Sequence, residues 1–312
     1  MRGLELSERF YLEYGEPMLR ERFPELLPLI AVGLAGSGSE CFGYDDDISH
    51  DHDFEAGFCI FLPSEELVDR KAEFELERAY SSLPREFMGY KRSLISPIGG
   101  NRHGVMRTAD FFGEKTGSPD GKLKLMDWFF LPEQSLAEAT DGKIFYDGLG
   151  EVTSIRERLA YMPEDVRLKK LAGELVLMGQ AGQYNYSRCI ARGDSAAAQL
   201  AVVEFVKATL HAIFLLNRRY APYYKWTFHA LRELACCAEL YEALEYLISS
   251  GNGDEADKKR ALIADICKRV TSELCAQGLT DAALGDIGAY AYAVNDRICD
   301  GEVRNLHILY AV

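Results

Sequence analysis

Two apolar runs, Leu27 to Leu34 and Ala56 to Leu62, flank a polar interval. The interval opens with Gly36-Ser37-Gly38-Ser39-Glu40 and closes with Ser49-His50-Asp51-His52-Asp53-Phe54. Short apolar runs bounded by turn-forming residues mark buried strands. The spacing therefore predicts a strand, a Gly/Ser turn, an acidic loop and a second strand. Asp51 and Asp53 are two apart, and an extended chain projects residues i and i+2 from one face. Two carboxylates held side by side offer the oxygen donors that Mg²⁺ or Mn²⁺ takes. A small-residue turn with open backbone N–H groups suits a phosphate. Together these features imply a site for a metal-bound nucleoside triphosphate.

With 312 residues the chain holds one large domain or two of ordinary size. Its formal charge of −14 argues against an extended nucleic-acid surface, which needs clustered Lys and Arg. There is no uninterrupted apolar run of about 18 residues, and the opening residues do not read as a signal peptide, so no membrane partner is expected. The eight cysteines include no C-x-x-C pair and sit mostly in apolar context. Reduced, buried thiols in a cytoplasmic protein are the expectation.

The texture changes near residue 150. Before it, short strands alternate with Gly/Pro turns and a few helices. A helix is expected from near Ser7, and another from Pro63-Ser64 through Tyr80. Strands are expected at His103–Thr108 and Lys143–Tyr146, and Asp110 reads as the cap of a helix starting at Phe111. After Thr153 the pattern is helical almost throughout. One helix begins at Pro163-Glu164-Asp165 and continues to Arg192; Ala196–Arg219 forms the next. Pro222 starts another, and three more follow. The expected class is α+β: a mixed sheet with flanking helices over residues 1–150, then an all-α bundle over residues 151–312.

The Gly36-Ser37 and Asp51-x-Asp53 pattern resembles the signature of the polymerase-beta-like nucleotidyltransferase superfamily. More narrowly, the chain is similar to a bacterial family of nucleotidyltransferase-like proteins. The shared stretches are Ser39-Glu40, Gly43-Tyr44-Asp45, Asp51-His52-Asp53 and Tyr224-Lys225-Trp226, in that order. Tyr184-Asn185-Tyr186-Ser187-Arg188 and Asn217-Arg218-Arg219-Tyr220-Ala221-Pro222 are similar too. Aminoglycoside nucleotidyltransferases have a comparable plan of catalytic domain followed by helical domain. The resemblance implies transfer of a nucleoside monophosphate, AMP from ATP, to a small-molecule or protein acceptor. Asp51 and Asp53 would hold Mg²⁺, or Mn²⁺ in its place, which neutralises phosphate charge in the transition state. Gly36 and Ser37 would contact the β- and γ-phosphates. A third carboxylate is implied on a later strand. His103–Thr108 carries no acid, and Met106 stands where the resemblance implies a glutamate. Asp110, just beyond, is the candidate metal ligand or base, with Asp127 and Asp147 further off.

Other readings stay open. Without a third acid, the chain would be a nucleotide-binding or interaction module that does not transfer. His50 and His52, alternating with the aspartates, would suit Zn²⁺, Mn²⁺ or Fe²⁺ in a hydrolase. Alternation puts them on the opposite strand face, and further ligands would have to come from His103, His211, His229 or His307. Asp45-Asp46-Asp47 reads as a solvated loop, with Asp45 orienting it or meeting the acceptor. Lys225 either contacts the triphosphate or snorkels from a helix. Arg188 and Arg192, one helical turn apart, line a basic wall or pair with surface acids. Tyr223, Tyr224, Trp226 and Trp128 either stack on a base or belong to the core.

Overall fold

The computed structural model describes residues 1–46, 55–92, 103–281, 285–310 and 312. Asp51 and Asp53, with His50 and His52, lie outside the described residues. In chain order the first elements are α1 (Gly3–Phe10), α2 (Glu16–Arg22), β1 (Ala31–Leu34), α3 (Ser39–Phe42), β2 (Cys59–Leu62) and α4 (Arg70–Ser81). A short hairpin follows, β3 (Glu86–Phe87) with β4 (Tyr90–Lys91). Next come β5 (Gly104–Arg107), α5 (Thr108–Thr116), α6 (Asp127–Phe130), α7 (Glu133–Thr140), β6 (Lys143–Asp147) and α8 (Glu151–Leu159). The rest is helical: α9 (Glu164–Met178), α10 (Ser187–Ala191), α11 (Ser195–Leu216), α12 (Tyr224–Leu231), α13 (Tyr241–Ser249), α14 (Ala256–Ala276), α15 (Ile287–Asn295) and α16 (Gly301–Asn305). The class is α+β followed by helices, and the chain divides into two compact units. The first comprises Met1–Leu123 and Leu131–Ala160, the second Lys124–Phe130 and Tyr161–Val312.

The first unit is built on a four-stranded mixed sheet in the order β5-β2-β1-β6. β1 is antiparallel to both β2 and β6, while β2 and β5 are parallel. Every residue of β1 and β2 is buried, which explains their unbroken apolar sequences. The edge strands β5 and β6 are half-buried and more polar. Only Ala31–Leu34 of the first apolar run is strand; Leu27–Leu29 forms a 3₁₀ turn with Pro28 near its start.

An aromatic group fastens α1, α4 and the β3–β4 hairpin to the sheet. Phe58 lies 5.9 Å from Phe10 and 5.1 Å from Tyr80, and Phe10 lies 5.3 Å from Phe87, centroid to centroid. The Arg92 guanidinium sits 4.8 Å from both the Phe10 and Tyr80 rings. A π-helical turn, Tyr11–Gly15, lets the chain pass close to this group. A Cβ at Gly15 would lie 2.4 Å from Phe58 Cζ.

Three helix starts differ from expectation, for identifiable reasons. α1 begins at Gly3, not near Ser7, because Asp45 Oδ2 accepts the Gly3 N–H at 2.7 Å from a distant loop. α4 begins at Arg70, after Asp69 accepts the Ala72 N–H at 2.8 Å; Ser64–Leu67 is a turn. α5 begins at Thr108 directly from β5, with Arg107 at the cap position, so Asp110 lies in the first turn and is not the cap. Arg107 is engaged elsewhere: it pairs with Glu73 and donates Nη1 to the Pro63 and Val68 carbonyls, each at 2.8 Å.

In the second unit α9 packs against α11 and α15. α9 continues through a π-helical stretch, Gly179–Tyr186, into α10. Its buried face carries unusual cations. Lys169 Nζ donates to Asn295 Oδ1 (2.5 Å) and to the Arg304 and Leu306 carbonyls (3.1 and 2.9 Å). Arg167 pairs with Glu164 at 2.6 Å and donates to the Leu215 carbonyl. α11 spans 22 residues and contains an 18-residue window of mean hydropathy 1.6, enough by length and composition to cross a bilayer, yet 61% of that window is buried inside the protein.

Two predictions follow from this packing. Gly15→Ala should destabilise the first unit by about 1–3 kcal/mol through overpacking, and Phe58→Leu should recover part of that loss in the double variant. Urea titration of the single and double variants measures both. Hydrogen bonding from Arg167, then Arg218, holds the Glu164 carboxyl at about 2, against an ordinary 4.5. Its stabilising effect is therefore complete above 4.5 and lost as pH falls towards 2. The stability gap between the natural protein and Glu164→Gln should close over that window in acid denaturation.

Candidate functional site

β1 leaves the sheet into Gly36-Ser37-Gly38, with φ 114° at Gly36 and 140° at Gly38. Side-chain-bearing residues rarely adopt such values, which is why glycines occupy the turn. Gly38 has no room for a side chain either: a Cβ would lie 2.4 Å from Glu40 Oε1. The buried Glu40 carboxylate is thus folded back against the turn from the first residues of α3. Gly36 is buried beside the Phe111 ring of α5. Beneath the turn, the Cys59 thiol is hydrogen-bonded to the Ala35 backbone and pushed up to about 12 by burial, so it stays neutral.

The chain segment before the acidic stretch is anchored to α1. Besides the Asp45 cap on Gly3, the Arg2 guanidinium donates to the Gly43 carbonyl at 3.0 Å. Asp45 is therefore a helix cap, not a solvated loop residue; Asp46 is exposed. After the acidic stretch, Glu55 Oε1 lies 3.1 Å from His103 Nδ1, and both side chains are largely buried. The His103 ring occupies the space a Gly57 side chain would need, with Cγ 2.7 Å from that Cβ position. Ser7 Oγ donates to the Gly57 carbonyl at 2.6 Å, and the Phe58 N–H donates to the Tyr80 hydroxyl. Gly104 N–H donates to the Phe58 carbonyl at 2.9 Å. The entry to β2 is thus fixed by α1, α4 and β5 together. Glu55 was not among the residues expected at the site, and His103, offered only as a transition-metal ligand, pairs with it instead. Glu55 continues the two-residue spacing of Asp51 and Asp53, the one signal that pointed to it.

Because β1 and β2 are antiparallel, with Gly33 opposite Cys59, the Gly-Ser turn and the entry to β2 share one end of the sheet. β5 runs parallel to β2, with Gly104 opposite Cys59 and Arg107 opposite Leu62. Asp110 therefore follows β5 at the end where β2 also finishes, and its side chain is exposed. Met106 lies opposite Phe61, and β5 contains no acid. Asp147 accepts the Thr153 N–H and Asp127 the Lys124 N–H, each at 2.8 Å, so both close local turns.

Lys225 and Arg188 belong to the second unit. Lys225 is exposed in the first turn of α12, its Nζ 4.9 Å from the Trp226 ring. Arg188 is exposed on α10 and lies over Tyr184, 4.7 Å from the ring centroid, donating to its hydroxyl. Arg192 is exposed as well. Tyr223 and Tyr224 are exposed and packed on one another at 4.3 Å, Trp226 is half-buried, and Trp128 is a core residue. Of the histidines offered to a transition metal, His211 pairs with Glu174 at 3.2 Å and His307 accepts the Leu309 N–H. Among the described residues no group of three potential metal ligands contains a histidine.

A family described as a domain of unknown function, DUF4037, matches residues 128–227. No curated protein matches the chain. Among solved structures, a nucleotidyltransferase-like protein from Exiguobacterium sibiricum 255-15 is similar at 12% identity and a TM-score of 0.39. That similarity covers 90% of this chain and 80% of the other.

The turn geometry carries a direct expectation. Gly38→Ala combines an unfavourable φ with a collision at Glu40 and should cost about 1–3 kcal/mol of stability. Gly117→Ala, where a Cβ meets nothing within 4 Å, keeps a positive φ without the collision and should cost less. Denaturant midpoints of the two variants provide the comparison.

Proposed function

We propose that this protein is a nucleotidyltransferase that uses Mg²⁺ or Mn²⁺ to move AMP from ATP to a small-molecule or protein acceptor. The observation that carries this reading is the junction of β1 and β2. A glycine turn at the end of one buried strand stands beside the braced entry to its antiparallel neighbour, and Asp51-x-Asp53 lies in the sequence between them. The donor set of two carboxylates fits a hard divalent cation and needs no thiol or imidazole. When bound, such a cation neutralises charge on the triphosphate. Asp51 and Asp53 hold it, while the Gly36 and Ser37 N–H groups and the Ser37 hydroxyl bind phosphate oxygens. The Glu55–His103 pair and the Ser7–Gly57 contact keep the strand that follows the carboxylates from shifting.

One observation favours a second reading, nucleotide binding without transfer. β5 has no acid, and Asp110, the acid that follows it, is exposed in the first turn of α5.

Calorimetric titration with Mg²⁺-ATP and an assay for pyrophosphate release test both readings. Asp51→Asn and Asp53→Asn should each abolish metal-dependent ATP binding; unchanged binding in both would overturn the assignment. Ser37→Ala should lower any transfer rate by about 10²-fold. ATP binding with no pyrophosphate release across an acceptor panel would select the second reading.

A further inference from the structure

Cys236 and Cys237 stand next to each other in the second unit, in the bend between α12 and the 3₁₀ turn Ala238–Leu240. Cys237 holds a left-handed backbone at φ 64°, a conformation that side-chain-bearing residues adopt only when their surroundings enforce it. Here Asn217 enforces it: its Nδ2 donates to the Cys236 carbonyl at 3.1 Å and its Oδ1 accepts the Cys236 N–H at 3.0 Å. Glu273 arrives from the last turns of α14. The two Sγ atoms and a Glu273 carboxylate oxygen all lie within 4.8 Å of one another. Among the described residues this is the one group of three such ligand atoms.

We propose that Cys236, Cys237 and Glu273 form a binding site for a thiophilic divalent cation, Zn²⁺ by its chemistry, with solvent as the fourth ligand. Zinc–sulfur bonds of about 2.3 Å in a tetrahedron set two sulfurs roughly 3.8 Å apart, so the three atoms need to close by no more than about an ångström. Cys236 is half-buried and opens the site to solvent, while Cys237 is fully buried beneath it. Glu273 is oriented by Arg269 at 3.0 Å and by Gln277 Nε2 at 3.1 Å, and Gln277 in turn donates to the Leu216 carbonyl. Such outer partners hold a ligand in place before the metal arrives. Binding sends one proton from each thiol to solvent and leaves two thiolates and a carboxylate on the cation. The Arg269 guanidinium, shared between Glu239 and Glu273, lies beside the remaining negative charge. Burial raises the Cys237 thiol to about 12 and raises Cys236 as well, so without a cation the pair is neutral and unreactive.

The test uses the full chain, reduced and stripped with a chelator, titrated anaerobically with Co²⁺ and then with Zn²⁺ against a chromophoric chelator. One equivalent should bind, with a thiolate-to-Co²⁺ charge-transfer band and a rise in melting temperature. Cys236→Ser/Cys237→Ser should lose the equivalent and the band, and Glu273→Gln should weaken Zn²⁺ by about tenfold or more. Should the double variant fail to fold, Cys236→Ser alone, at the half-buried position, should show the same loss. The six other cysteines remain in each variant, so an unchanged stoichiometry and band in the serine variants would overturn the proposal. So would the absence of a thiolate band in the natural protein.

Discussion

The antiparallel pairing of β1 with β2 is the constraint from which the first unit follows. Both strands are buried along their whole length, so they sit in the middle of the sheet and leave its edges to β5 and β6. A one-residue slip would turn every side chain to the other face and give each buried residue the wrong packing partners. Once Gly33 faces Cys59, the turn after β1 and the start of β2 are neighbours, whatever path the chain takes between them. The hydrogen bonds of Gly57 and Phe58 with Ser7, Tyr80 and Gly104 then serve one purpose: they hold in place the residues that lead into β2. A site that must hold carboxylates to a fraction of an ångström belongs on such a support, not on a free loop.

The helical unit solves a different problem. α9 buries Arg167, Lys169, Lys170 and Glu174 along with its apolar residues. A buried ammonium is tolerable only when its donors are satisfied, and Lys169 reaches one side-chain and two backbone oxygens. Those acceptors come from α15 and from the chain around α16, so the same contacts tie the last residues to the centre of the unit. Lys259 is held in the same manner by the Ser250 carbonyl, Asn252 and Gln199. Cations placed against carbonyls far along the chain fix which helices meet, a task that apolar packing alone performs less selectively.

Much of the fold is legible in the chain's apolar pattern. β1, β2 and β5 lie within the runs that predict them, β6 extends one residue past its run to Asp147, and α9 begins at the Pro163-Glu164-Asp165 signal. Helix starts are less legible, because local and distant caps compete. Asp69 is a local cap lying five residues beyond the Pro-Ser signal, and it prevails over that signal. Asp45 caps α1 across 42 residues, a contact that no window of sequence contains. Asp110 has a cap's residue type, but β5 feeds directly into α5, so the chain is already helical when it reaches that position.

What the sequence by itself determined is local: which segments extend, which coil, and which short stretches gather glycine, serine and carboxylates. Period and turn composition act between near neighbours, so they can be read without a structure. What only the tertiary structure decided is who stands beside whom. Parallel pairing of β5 with β2 makes Asp110 follow β5 at the end where β2 also finishes. The same folding brings His103 to Glu55, and Glu273 to two adjacent cysteines. Strand direction and helix packing bring together groups far apart in the chain, and no spacing within the sequence encodes those distances.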